Sequence, residues 1–214
     1  MAFKLFSLLS PKKNKLIKQE QKRRQEIWDN ATERCLEMSP QELLGYANCE
    51  IGELFFELIE QRAQEKAEPF ELETKQGFDK LNSQQQTWFV LQEFEFACCD
   101  ICLPEFFIKY PYLAPLVSNA LGEIGAKEQQ VLFDSFVFEQ CLDLKNLPVE
   151  KFEKNLNKNN DFNKPYYNFC NDYKKLDKSS PVTFDELGFP VEHIAPDSPY
   201  ALLKKYVCNN IEKF

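Results

Sequence analysis

The feature that most constrains this chain is an apolar stretch between residues 81 and 125. Within it, apolar residues recur three or four positions apart, which is the period of an α-helix with one buried stripe. The stripe of its first helix consists of Trp88, Leu91, Phe94, Ala97, Cys98 and Ile101. Phe89, Val90 and Phe96 fall outside this stripe, so the helix is apolar over much of its circumference. We therefore expect it to lie in the centre of the core.

Turn and cap residues predict where the helices of this stretch begin and end. Asn82 or Ser83 can cap the first helix, because a short polar side chain accepts a hydrogen bond from a free backbone N–H. Pro104 and Pro111 each interrupt a helix, since proline lacks the N–H that a helix interior needs. Gly125 is a natural C-terminal cap.

Composition extends the helical prediction to the whole chain. Of 214 residues, 43% are hydrophobic and only six are glycine, and the Val/Ile/Thr alternation of strands is scarce. We predict one all-α domain, an irregular bundle of seven to nine helices. Further helices are predicted at Lys15–Met38, Pro40–Lys66, Lys127–Leu142, Pro148–Leu156, Tyr166–Leu176 and from Ser198 onward. The segments Asn155–Lys164 and Asp177–Pro199 are predicted to be loops, the second with a turn at Phe184–Gly188.

Charge divides the chain into two parts. Residues 1–25 hold eight of the 26 basic residues and one of the 34 acidic residues, so they carry +7 and the remainder carries −15. We predict a basic N-terminal arm (1–25) and an acidic helical domain (26–214). The arm could dock on the body or contact a membrane surface or a nucleic acid. The acidic body should repel nucleic acid and attract basic proteins.

The predicted helix Pro40–Lys66 carries the most ordered acidic pattern. Its buried stripe is predicted to be Leu44, Ala47, Ile51, Leu54, Phe55 and Leu58. On a continuous helix, five acids fall within a second arc of about 80°, which no lysine or arginine interrupts. These are Glu42, Glu50, Glu53, Glu57 and Glu60. Like charges three or four residues apart cost a helix about 0.2–0.5 kcal/mol per pair, so a row of them suggests a partner. The row is interpreted as a solvated face, a mimic of a phosphate backbone, or a site for another partner.

Cysteine and histidine content argues against a metal site and against catalysis. The eight cysteines are predicted to be reduced thiols of a cytoplasmic protein, most of them buried. Cys98, Cys99 and Cys102 include a C-x-x-C spacing, for which a zinc site or a redox switch is the alternative. His193 is the only histidine, and Gly122–Gly125 lacks the length and lysine of a phosphate loop. We predict no cofactor, no metal and no enzymatic activity.

The N-terminus does not have the pattern of a secretory signal. The apolar run within residues 1–10 is short and split by Lys4, and a basic cluster follows it. No apolar run reaches the 18 residues that a membrane-spanning helix needs. We therefore expect a cytoplasmic protein without stable membrane insertion.

Two short segments resemble a known family. Glu105-Phe106-Phe107 and Ala120–Ala126 (ALGEIGA) are similar to motifs of a small bacterial family of acidic helical proteins described as DNA mimics. The Asn-Gly-Gly-Phe turn of that family is replaced here by Asp100-Ile101-Cys102-Leu103. The resemblance implies a binding protein whose acidic surface occupies the DNA-binding face of a basic protein, and it implies a homodimer. The alternatives are an immunity-type inhibitor of a toxin and an uncharacterised enzyme.

Overall fold

The computed structural model describes residues 11–51, 53–100, 102–156, 161–176, 180–187 and 189–214. These residues form eleven α-helices and one antiparallel β-hairpin, so the predicted all-α class is confirmed, whereas the predicted number of seven to nine helices is too low. The helices are α1 (Pro11–Arg34), α2 (Pro40–Gly45), α3 (Leu54–Ala67), α4 (Lys75–Phe78), α5 (Ser83–Cys99), α6 (Leu103–Lys109), α7 (Val117–Ile124), α8 (Lys127–Glu139), α9 (Val149–Asn155), α10 (Lys164–Leu176) and α11 (Pro199–Asn209). The strands are β1 (Ser180–Phe184) and β2 (Pro190–His193).

The described chain divides into two compact units. The first contains the residues up to Arg62 and the hairpin Ser180–His193, and the second contains Ala63–Ser179 and Ile194–Phe214. The predicted boundary between arm and body, at residue 25, falls inside α1, while residues 1–10 lie outside the described residues. None of the helices described is long and apolar enough to cross a membrane.

In the first unit, Ile17 and Ala31 on the inner side of α1 are buried, as is Cys35 in the 3₁₀ turn that follows the helix. Two contacts tie the end of this helix to α3. The thiol of Cys35 donates a hydrogen bond to the carbonyl oxygen of Leu58 at 3.2 Å. Nε and Nη2 of the buried Arg62 each donate to the carbonyl oxygen of Cys35 at 3.1 Å, and Nη2 also donates to Met38. Arg62 therefore supplies donors to two carbonyls just after the end of α1, where Cys35 also accepts from the N–H of Met38 at 3.4 Å.

The prediction of one helix from Pro40 to Lys66 is wrong. α2 ends at Gly45, a 3₁₀ turn covers Tyr46–Asn48, Cys49 is extended, and α3 begins only at Leu54. The apolar period continues through Gly45 and Gly52 in the sequence, but a glycine inside a helix costs about 1 kcal/mol relative to alanine.

The break also changes which side chains are buried. Leu43 is buried and Leu44 is 37% exposed, the reverse of the predicted stripe. Ala47, Leu54, Phe55 and Leu58 are buried as predicted.

In the second unit, α5 is central, as predicted, and packs against α6, α7, α10 and α11. The ring of Phe94 lies 5.3 to 6.2 Å from the rings of four aromatic residues on three other helices, Phe106, Phe133, Phe169 and Tyr173. Phe89 and Val90 are buried as well, whereas Phe96 is 52% exposed. Asn82 caps α5 in a capping box with Gln85, and Gly125 ends α7 with φ +85°, so both local signals are confirmed.

The prediction of a continuous loop over Asp177–Pro199 is wrong at residues 180–193, which form the hairpin. Phe184 pairs with Pro190, and the side chain of Asp185 accepts hydrogen bonds from the N–H groups of Leu187 and Phe189 at 2.8 Å each. The predicted turn therefore lies where expected. Both strands are short and contain proline, which weakens the sequence signal of a strand. His193 lies at the end of β2.

Candidate acidic interface

The five glutamates assigned to one helical arc lie on three different segments. Glu42 is at the start of α2, where its carboxylate accepts hydrogen bonds from the N–H and hydroxyl of Ser39 at 2.8 and 2.9 Å. It also lies 3.3 Å from Arg34. The hydrogen bonds from Ser39, with a smaller contribution from Arg34, lower the pKa of Glu42. Its first role is therefore to cap α2.

Glu50 lies in the link between α2 and α3, where it pairs with α1. Its carboxylate is 2.6 Å from the guanidinium of Arg23, which is also 2.6 Å from Glu20. Arg24 donates to the same Glu20 carboxylate at 3.0 Å. Hydrogen bonds from Arg23 and Arg24 lower the pKa of Glu20 to about 2. Arg23 on α1 thus partly neutralises Glu50, as Arg34 does Glu42.

Glu53, Glu57 and Glu60 remain together. Glu53 is in the turn before α3, and the three residues stand at positions i, i+4 and i+7, which places them within an arc of about 60°. Glu53 and Glu60 are exposed and Glu57 is half-buried, accepting a hydrogen bond from Gln61 at 3.3 Å. Carboxylates near a helix N-terminus are also favoured by the helix dipole. We call these three residues the α3 acidic face.

Sequence reasoning missed a charged row on α1. Six exposed residues follow one another three or four positions apart on the side opposite to Ala31 and Cys35. They are Lys15, Lys18, Lys22, Glu26, Asp29 and Glu33. The first three are basic and the last three acidic, and the only junction between the signs is the ion pair Lys22–Glu26 at 3.4 Å. The helical spacing of these residues is visible in the sequence. The predicted boundary between a basic arm and an acidic body at residue 25 separates the lysines from the acids, so the row was not recognised.

Other carboxylates form hydrogen bonds and ion pairs within the second unit. The hydroxyl of Tyr173 donates to Glu95, and the hydroxyl of Thr87 donates to Glu123 at 2.7 Å. Burial raises the pKa of Tyr173 well above its usual range. In the acidic connection after Pro69, Glu73 lies 3.1 Å from Lys109. These groups hold the helices together rather than forming an open row.

Over the part of the chain that the structure describes, no group of three histidine, cysteine or carboxylate side chains could hold a metal ion. A cleft of about 540 Å³ between α8 and α10 is lined by Glu139, Asp161, Asp172 and Lys164 over an apolar floor. Carboxylates are so frequent in this chain that their presence in one cleft does not identify a reaction.

Comparison of this chain with models of protein families, with characterised proteins and with solved structures finds no match.

Proposed function

We propose that this chain is a binding protein that inhibits a basic partner, with the α3 acidic face occupying the partner's DNA-binding surface. The observation that supports this is the cluster of Glu53, Glu57 and Glu60 on one face, with no lysine or arginine between residues 43 and 61. The row extends over about 10 Å along the helix axis, at a rise of 1.5 Å per residue. One DNA strand carries a charge about every 3.4 Å, so the two charge densities are similar.

Glu42 and Glu50 have a secondary role in this proposal. Their carboxylates already have arginine partners, so part of their charge is compensated and a cationic partner gains less from approaching them. A cytoplasmic location fits the same proposal, because all eight cysteines are free thiols and reducing compartments keep thiols in this state.

The test is affinity capture from native lysate at low and high salt, with three forms of the protein. The wild type should retain a basic nucleic-acid-binding protein that salt or competing duplex DNA releases. Glu53→Lys/Glu57→Lys/Glu60→Lys should lose it. Asp134→Lys/Glu150→Lys/Glu153→Lys, which makes the same change in net charge on exposed positions of α8 and α9, should keep it.

Two other results would overturn the mimicry proposal. A single toxin-like protein that stays bound through high salt and is not displaced by DNA would favour an immunity-type inhibitor. Equal retention by both triple variants would show that the α3 acidic face is a solvated surface.

We also propose that the protein forms a homodimer through the outward row of α1. Two copies of the row placed antiparallel about a two-fold axis near residue 24 are complementary: Lys15 of one copy faces Glu33 of the other, and Lys22 faces Glu26. The order of the charges supports this proposal, because basic residues in the first half of a helix and acids in the second half oppose the helix dipole. Isologous contacts of this kind are typical of two-fold dimers.

The strength of such a dimer can be bounded. The contact contains six exposed ion pairs, each worth about 0.5 kcal/mol, which together give about 3 kcal/mol. A dissociation constant of 1 mM corresponds to about 4 kcal/mol. The charges alone therefore support a weak dimer that salt disrupts, and sedimentation must be measured at high protein concentration and low ionic strength.

A charge exchange tests the dimer. Lys15→Glu/Lys18→Glu/Lys22→Glu makes the row entirely acidic, and Glu26→Lys/Asp29→Lys/Glu33→Lys makes it entirely basic. Each variant alone should be monomeric, and an equimolar mixture should form a one-to-one heterodimer. A mixture that stays monomeric at high protein concentration and low ionic strength would exclude this contact.

A further inference from the structure

Two buried cysteines on different helices meet in the second unit. The helices α5 and α10 pack against each other at two contacts: the ring of Phe94 lies 5.4 Å from that of Tyr173, and the Tyr173 hydroxyl donates to Glu95. Cys98 comes one turn later on α5, and Cys170 comes one turn earlier on α10. The thiol of Cys98 accordingly lies against the sulfur of Cys170 and donates a hydrogen bond to it. Cys98 is 1% exposed and Cys170 is 7% exposed.

The two sulfurs differ in their chemistry. Cys170 accepts hydrogen bonds from the Cys98 thiol and from the N–H of Leu103, and Lys174 adds positive charge one turn away, so its pKa is lowered. Burial, with the hydrogen bond to Cys170, raises the pKa of Cys98 well above its usual range. Thiolates are the reactive form of cysteine, and an oxidation-sensitive thiolate often has a second cysteine beside it.

We propose that Cys170 and Cys98 are a peroxide-oxidisable thiol pair that closes a disulfide between α10 and α5. The Cys170 thiolate attacks one oxygen of hydrogen peroxide, the O–O bond breaks, and the leaving hydroxide takes a proton and departs as water. Cys170 is then a sulfenic acid. The sulfur of Cys98 attacks the sulfur of Cys170, the S–O bond breaks, and a second water leaves with the proton of Cys98. Two thiols lose two electrons and one peroxide becomes two waters.

Three other cysteines provide a comparison for the reactivity of this pair. Cys102 is 7% exposed, and its pKa is raised by burial. Cys99 and Cys141 are exposed. They provide internal standards, since a reaction governed by exposure alone would oxidise these two before the buried pair.

The test uses the full chain, fully reduced and treated with about one equivalent of hydrogen peroxide. Remaining thiols are alkylated, and the products are mapped by mass spectrometry. Two of the eight thiols should disappear, and one cross-linked peptide should contain Cys98 and Cys170, lighter by two hydrogen atoms. Dithiothreitol should reverse the reaction. The oxidised protein should melt at a higher temperature, because the bond joins helices far apart in sequence.

Variants separate the two roles. Cys98→Ser keeps a hydroxyl that can donate to the Cys170 sulfur but cannot form a disulfide, so it should leave a sulfenic acid on Cys170 that dimedone traps. Cys170→Ala should remove both the rapid reaction and the cross-link. Cys141→Ala is the matched control and should behave as the wild type.

The mapping in the wild type stands even if a core variant fails to fold. The proposal is overturned if Cys99 or Cys141 is oxidised first in the wild type, if Cys170 links to Cys102 instead, or if Cys170→Ala consumes peroxide at the wild-type rate.

Discussion

The guanidinium of Arg23 lies 2.6 Å from the carboxylate of Glu50 and so joins α1 to the link between α2 and α3. Arg34 approaches Glu42 in the same way at 3.3 Å. The glutamates predicted to form one row therefore differ in how far their charge is already compensated within the first unit. If the proposed binding is correct, the glutamates should contribute to it unequally.

We expect Glu53→Gln/Glu57→Gln to slow association with a captured basic partner several-fold more than Glu42→Gln/Glu50→Gln does. Both double variants remove two negative charges, so any difference reflects position, and exposed charges act mainly on the association rate. The measurement is the association rate at low ionic strength. Equal rates for the two variants would show that only net charge matters.

Acid should abolish the contribution of Glu20 to stability. Its pKa is lowered from 4.5 to about 2 by Arg23 and Arg24, so the folded state binds the proton less tightly than the unfolded state does. The stabilisation is complete above about pH 5 and is lost as the pH falls towards 2. Thermal unfolding should show Glu20→Gln below the wild type at pH 7, with the gap closing as the pH falls through that window. Gln21→Ala, at an exposed position that does not titrate, should give a gap that does not depend on pH.

Replacing Arg62 should destabilise the first unit. Arg62→Met removes the guanidinium donor from the carbonyls of Cys35 and Met38, and Cys35 keeps only the longer hydrogen bond from the N–H of Met38 at 3.4 Å. An unsatisfied buried group costs about 1–3 kcal/mol. We expect a loss of about 3 kcal/mol in the free energy of unfolding, measured by urea denaturation. The matched control is Arg34→Met, which breaks an exposed ion pair and should cost less than about 1 kcal/mol. Similar losses in the two variants would contradict this role.

Two glycines should respond in opposite directions to alanine. A Cβ at Gly77 would lie 2.2 Å from the carbonyl oxygen of Glu71, so the backbone must shift, at a cost of about 1–3 kcal/mol. A Cβ at Gly45 has no neighbour within 4 Å, and its φ of −57° is helical, so Gly45→Ala should stabilise by about 0.4–1 kcal/mol. Urea denaturation of the two variants would show the difference in sign.

Local signals made most of the fold predictable, and long-range contacts account for the rest. The cap at Asn82 and the C-terminal Gly125 depend on residues within one turn, and the structure has both. Of the five predicted glutamates, only Glu53, Glu57 and Glu60 have the predicted helical spacing. They follow the non-helical link between α2 and α3, which separates them from Glu42. The pairing of Glu50 with Arg23 joins segments far apart in sequence and has no local signal.

The central position of α5 gives the last prediction. Phe94 is fully buried among four aromatic rings, while Phe96, two residues away on the same helix, is 52% exposed. Phe94→Ala should cost about 3–5 kcal/mol through lost transfer free energy and the cavity that remains. Because domains are stable by only about 5–15 kcal/mol, Phe94→Leu provides a milder second variant. Phe96→Ala removes the same atoms from a partly solvated site and should cost less than about 1 kcal/mol. Urea denaturation should show the largest loss in free energy of unfolding for Phe94→Ala, a smaller loss for Phe94→Leu and the smallest for Phe96→Ala. The packing around each ring, rather than the residue type, determines this loss.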